Sequence, residues 1–193
     1  MANLFQNLEL QAFRAGITPR TKESRDWFRK KAQGLRRINR DKLADSQKKT
    51  GRQIVGNMYM FSYDPKHKKT LPYYDKFPLA IVVGPAPGGF YGLNLHYLPP
   101  TLRARFLDEL LDIASNKAYD EDTKFKVSYA LLNRATKFRY FKPCFKHYLT
   151  KHVQSQFSLV EAPEWEIATF LPTASWEKAS AAEVYKESRK MVR

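Results

Sequence analysis

The chain has 193 residues, with 34 Lys and Arg against 19 Asp and Glu, a formal net charge of +15 and an isoelectric point near 9.9. Hydrophobic residues make up 43% and aromatics 14%, enough for a packed core, which excludes wholesale disorder, and no run of about 18 apolar residues suggests a membrane span. A single cysteine, Cys144, cannot form an internal disulfide and fits a reducing compartment, and Met1 to Leu10 lack the basic start and apolar stretch of a secretory signal.

The first 20 residues mix Leu4, Phe5, Leu8, Leu10, Phe13 and Ile17 with few charges. They read as a short helix or an extended arm ending at Pro19, an apolar segment that needs a surface to bury it. Residues 20 to 52 then hold 13 Lys and Arg and only 4 Asp and Glu. Ser24 reads as an N-cap. Trp27, Phe28, Leu35, Ile38 and Leu43 recur at loose helical intervals, which predicts a basic amphipathic helix over about 24 to 44. A localised field of this kind favours a polyanion, through phosphate contacts, or an acidic protein surface. Arg29, Lys30, Lys31, Arg36, Arg37, Arg40, Lys48, Lys49 and Arg52 are the candidate contact residues. A solvated helix face is the plainer reading of a single basic run, but residues 117 to 151 add 9 basic against 3 acidic residues.

After a polar linker at Lys48 to Gln53 the chain turns β-prone. Met58 to Tyr63, Leu79 to Val83, Phe90 to Tyr97 and Trp165 to Leu171 read as strands, with turns at Asp64-Pro65 and through Gly84 to Gly89. About 101 to 114 is an amphipathic helix built on Leu102, Phe106, Leu107, Leu110 and Leu111, with Arg105 and Glu109 able to pair outside it. Further helices are expected at about 123 to 135, at 143 to 152 after Pro143, and at Ala179 to Val192 as an exposed polar helix. The expected class is α+β. A small, strongly bent antiparallel sheet, an SH3-like barrel, packs with several helices, and an extended N-terminal arm and basic helix precede it. The expected division is 1–52 for arm and basic helix and 53–193 for the core.

Few residues suggest covalent chemistry. Cys144 and His147, three apart on an expected helix, could form a thiolate–imidazole pair, but no glycine-framed motif accompanies them, and a buried Cys beside a surface His is the preferred reading. No zinc-ligand spacing occurs, and His96 reads as a packing and hydrogen-bonding group. The Gly84 to Gly89 loop lacks the Lys-Ser/Thr of a phosphate cradle and contains two prolines without N–H donors. Asp64 and Asp75 around Lys66 to Lys69 give a weak nuclease reading; Asp64 is more simply a turn residue, and Asp75 a cap or a partner of Lys76. Tyr59, Phe61 and Tyr63 alternate onto one face, which is taken as core, although exposed aromatics among lysines can stack bases. No cofactor or metal is expected.

The phrases Asp64-Pro65-Lys66, Leu71-Pro72-Tyr73-Tyr74-Asp75-Lys76-Phe77-Pro78 and Gly89 through Pro99 carry a resemblance. So do Tyr140 to Cys144 and Glu164 to Pro172. Over about residues 56 to 190 the chain resembles virion proteins of large contractile-tailed bacteriophages, in particular the DNA end protector family. The resemblance implies a non-enzymatic minor head or neck component that sits on the genome end and shields it from exonuclease, with no catalytic residues. Taken with the apolar N-terminal segment and the basic runs, the expected partners are other virion proteins through the N-terminal arm and double-stranded phage DNA bound without sequence preference, with no membrane and several copies in a symmetric assembly. A tail or baseplate subunit binding acidic protein surfaces is the alternative.

Overall fold

The computed structural model describes residues 3–35, 37–115, 130 and 139–192. Helix α1 (Leu4–Arg14) starts at Asn3, whose side chain accepts from the Gln6 N–H while Gln6 reaches back to the Asn3 N–H. Phe5, Leu8 and Ala12 share one face of it and are buried, and α1 packs on α2 (Lys22–Gly34) and α5 (Trp165–Phe170). The first residues are therefore helical and folded back on the core, not an extended arm, because the three- and four-residue spacing of Phe5, Leu8 and Ala12 gives a helix a face to bury.

The expected helix over 24 to 44 is two helices. Thr21, not Ser24, caps α2; Ser24 sits one turn in and completes the reciprocal pair of hydrogen bonds with Thr21. The helix stops at Gly34, a poor helix former, and α3 (Arg40–Asp45) restarts after the Asn39 cap. The break lets Phe28 and Leu43 each bury, with Trp27, Leu35 and Ile38 packed at the edge of the same core.

Eight strands follow: β1 (Lys49–Thr50), β2 (Met58–Met60), β3 (Tyr74–Asp75), β4 (Leu79–Ala86), β5 (Gly89–Asn94), β6 (Phe145–Leu149), β7 (Phe157–Val160) and β8 (Trp176–Glu177). Six of them form an antiparallel sheet in the order β1-β7-β2-β4-β5-β6, and β3 pairs with β8 as a separate ribbon. The large sheet has two free edges, β1 and β6, and no sheet among the described residues closes, so the expected SH3-like barrel is not found. The sheet is nonetheless strongly bent. Phe90 on β5 and Phe157 on β7 lie three strands apart, about 14 Å in a flat sheet, yet their ring centroids are 5.7 Å apart. A lone bridge between Tyr63 and Val153 ties the end of the β2 segment to the chain beyond β6.

Strand alternation sorts the two faces. Tyr59, Phe61, Tyr63, Phe90, Tyr148 and Phe157 fill the concave side, and the Tyr59 and Tyr63 hydroxyls accept from the Ile54 and Leu149 N–H groups. This aromatic face is core, as its period of two suggested. Met58, Met60, Leu79, Ile81 and Leu93 face the helices, in one cluster with Phe5, Phe28, Leu43, Phe106, Ile167 and Val184.

Three elements differ from their sequence reading. Helix α4 (Pro100–Ser115) is as expected, but Trp165 to Phe170 is helix α5, not a strand. A capping pair between Glu161 and Glu164 starts the turn before it, and Ile167, Ala168 and Leu171 bury at helical spacing. The segment from Pro143 is not a helix either: a 3-10 turn (Arg139–Cys144) leads into β6, whose pairing with β5 from Gly89↔Leu149 to Leu93↔Phe145 outweighs the proline signal. Helix α6 (Ala181–Val192) is amphipathic, with Val184 and Ser188 buried. Apart from residue 130, the helix expected over 123 to 135 lies outside the described residues, as does the Glu109 side chain.

Candidate nucleic-acid interface

The structure distributes the candidate cations over several elements. Arg29, Lys30 and Lys31 lie on the exposed side of α2, opposite Phe28 and Ala32. Arg29 pairs with Asp26 at 2.8 Å, and the Lys31 ammonium stands 5.0 Å from the centre of the Trp27 ring. Arg37 is exposed between α2 and α3; Arg36 lies outside the described residues. Arg40 serves the fold: its guanidinium donates to the Thr173 and Ala174 carbonyls at 2.7 and 2.6 Å. Lys49, on edge strand β1, bonds Asp45 and the Ser158 hydroxyl, while Lys48 and Arg52 beside it are exposed. Among the described residues, Lys30, Arg37, Lys48 and Arg52 make no ion pair. A cation of this kind can release condensed counterions from a phosphate backbone without first breaking an internal contact.

A second basic surface lies at the other side of the sheet. The loop from Pro65 to Leu71 is held by one ammonium: Lys178 donates to the Lys68, Lys69 and Leu71 carbonyls at 2.6, 3.0 and 2.9 Å. Lys68 also pairs with Asp64 at 2.8 Å. Lys66, His67 and Lys69 stand exposed on the loop. Between this loop, β3 and β6 runs a cleft of about 570 Å³, lined in part by Lys66, His67, Tyr73, Tyr74, Tyr97 and Lys146. Lys146 lies with its Nζ 3.8 Å from the centre of the Tyr97 ring, and burial lowers its ammonium to about 8.

Beneath the cleft sits a network the sequence reading missed. Asp75 accepts from Phe77 N–H (3.0 Å), Ser175 N–H (2.9 Å), Asn94 Nδ2 (3.1 Å) and His96 Nδ1 (2.6 Å). His96 Nε2 lies 3.0 Å from the Thr173 hydroxyl. Desolvation opposes charge on both groups, but the donors around Asp75 hold its carboxyl below the usual range, and burial holds the His96 ring below its ordinary value. An ionised, acceptor-only Asp75 places the ring proton on Nδ1 and leaves Nε2 to accept from Thr173. The order carboxylate, imidazole, hydroxyl resembles a nucleophile relay, but His96 is 0% and Thr173 1% exposed, so no substrate reaches the hydroxyl. The network joins β3, the chain after β5 and the chain after α5. Arg103 of α4 extends it, donating to the Leu98, Thr169 and His96 carbonyls and to the Tyr185 hydroxyl.

The same positions bear on the residues considered for covalent chemistry. Asp75 caps the backbone N–H groups of Phe77 and Ser175, one of its two expected roles, but is not a partner of Lys76, which pairs with Glu177 instead; four donors occupy its two oxygens. Asp64 stands just before the turn over 66–70 and pairs with Lys68 across it. Cys144 is buried with its thiol pushed up to about 12, while His147 on β6 is exposed and bonds the Pro87 carbonyl. Cys144 ends the 3-10 turn and His147 lies on strand β6, so the two do not share a helix face. Among the described residues, no cluster of three or more His, Cys, Asp or Glu is placed to hold a metal, and no helix is long and apolar enough to cross a membrane.

The described residues thus form a mixed helix-and-sheet protein that carries Lys30, Arg37, Lys48 and Arg52 on its exterior without ion pairs among those residues. Residues 2–190 match the family described as the phage T4 terminal DNA protecting protein, and the chain belongs to that family. Comparison with curated proteins and with solved structures returned no match.

Proposed function

We propose that the chain is a non-enzymatic virion protein, a minor head or neck component, that sits on the end of the phage genome and shields it from exonuclease. Family membership supports the DNA-protecting role. The observation that carries the mechanism is that Lys30, Arg37, Lys48 and Arg52 are exposed without ion pairs among the described residues. They contact phosphates without reading bases, so binding is sequence-independent. Residues 1–52 act as the docking element: α2 and the β1 edge meet DNA, and α1 exposes Leu10 and Phe13, at 48% and 81%, toward neighbouring virion proteins.

The test is an anisotropy titration of the full chain on linear duplex across a salt series. Affinity falls steeply with salt, and replacing Lys30, Arg37, Lys48 and Arg52 together by Ala flattens the log–log slope by about 3 to 4. A flat salt response of the wild-type chain removes the DNA role.

A further inference from the structure

We propose that the cleft between the Pro65 to Leu71 loop, β3 and β6 seats one unpaired nucleotide at a DNA end. The proposal rests on the reading that the chain binds such ends, and it assigns a second, separate contact to them. Its volume of about 570 Å³ falls within the range of roughly 300–1,000 Å³ typical of small-ligand clefts. Two kinds of group converge there. Tyr73 and Tyr74 are half-exposed on its wall, with Tyr97 behind them; Lys66, His67 and Lys146 supply the cationic and polar side.

This pairing of ring faces with ammonium groups suits a base and its phosphate. A duplex cannot use it, because stacking hides the base faces and leaves only edges in the grooves. An unpaired base can lay its face on a tyrosine, and every base has such a face, so the seat needs no sequence. Asp75 also borders the cleft, but its carboxylate is occupied by four donors and shielded from an incoming phosphate by them. The cleft is rigid where it matters. Lys178 fixes the loop by three hydrogen bonds, and Tyr73 and Tyr97 are packed around Trp176, with centroids 6.2 and 4.8 Å from it.

The experiment compares the full chain on a blunt duplex with the same duplex bearing a 3′ or a 5′ oligothymidine overhang, with dTMP as competitor. The expected result is binding at least about fivefold tighter to an overhang of one polarity. Tyr74→Leu and the exposed Lys66→Ala abolish that gain and leave blunt-duplex affinity unchanged. The unchanged blunt affinity, together with an unshifted melting curve, shows that the variants are folded. Equal binding to blunt and overhanging ends, or a gain that survives both substitutions, overturns the seat while leaving the proposed function standing. Absence of binding to every DNA overturns both.

Discussion

At the scale of single residues, the buried charges define the molecule's chemistry. Asp75 and His96 both titrate below their ordinary values in the folded state. The unfolded chain therefore binds more protons than the folded one as acid is added, so stability rises with pH across that window. The loss on acidification begins as pH falls below about 6.5, where the unfolded His96 protonates and the folded ring does not; below about 4 the depressed Asp75 adds to it. Thermal melts of the wild-type chain are expected to shift down progressively from pH 7 to pH 4. His96→Asn melts lower at neutral pH but loses most of the slope between about 5 and 6.5; an unchanged slope in that variant contradicts the assignment. His96 was legible as a packing group because it sits among apolar residues at a strand end. Asp75 was not, because its donors come from residues 77, 94, 96 and 175, and no local pattern brings those together. Arg103 left a signal: it stands three and four residues before Phe106 and Leu107, on the buried stripe of α4.

At the scale of elements, long-range pairing overrode short-range cues. Pro143 suggested a helix start, and nothing local in Phe145 to Leu149 announced the partner that makes it a strand. Trp165 to Phe170 is rich in β-prone residues, yet the capping glutamates and burial against α4 turned it helical. The strongly patterned elements, α4 and the aromatic β2 segment, were legible because one period dominates each. The β5–β6 contact is close at Gly89. A Cβ on Gly89 would run into the Tyr148 carbonyl, so Gly89→Ala must push β6 away from β5. Chemical denaturation of this variant is expected to show a loss of about 3 kcal/mol or more; a loss under 1 kcal/mol would mean that the edge strand is free to move. The basic segment was legible as charge but not as geometry. Sequence cannot show that Arg40 and Lys49 bind carbonyls and acids of the fold while Lys30, Arg37, Lys48 and Arg52 make no ion pair among the described residues.

At the scale of the whole molecule, the bent sheet separates an aromatic core from a helical one and leaves cations and a few apolar side chains outside. Phe13 at 81% exposure is the most exposed large apolar side chain among the described residues. Phe13→Glu is expected to reduce incorporation of the chain into assembled particles, read by quantifying the chain in purified virions, with melting temperature and DNA affinity unchanged. Equal incorporation would place the partner contact elsewhere than α1. The proposed role requires that this chain cover DNA ends. The direct measurement is the rate at which an exonuclease degrades linear duplex as the full chain is added at near-physiological salt. Degradation is expected to slow and to saturate near one protein assembly per end, and the Lys30, Arg37, Lys48 and Arg52 alanine variant to protect poorly. Degradation at the unprotected rate with the wild-type chain in excess would contradict that role.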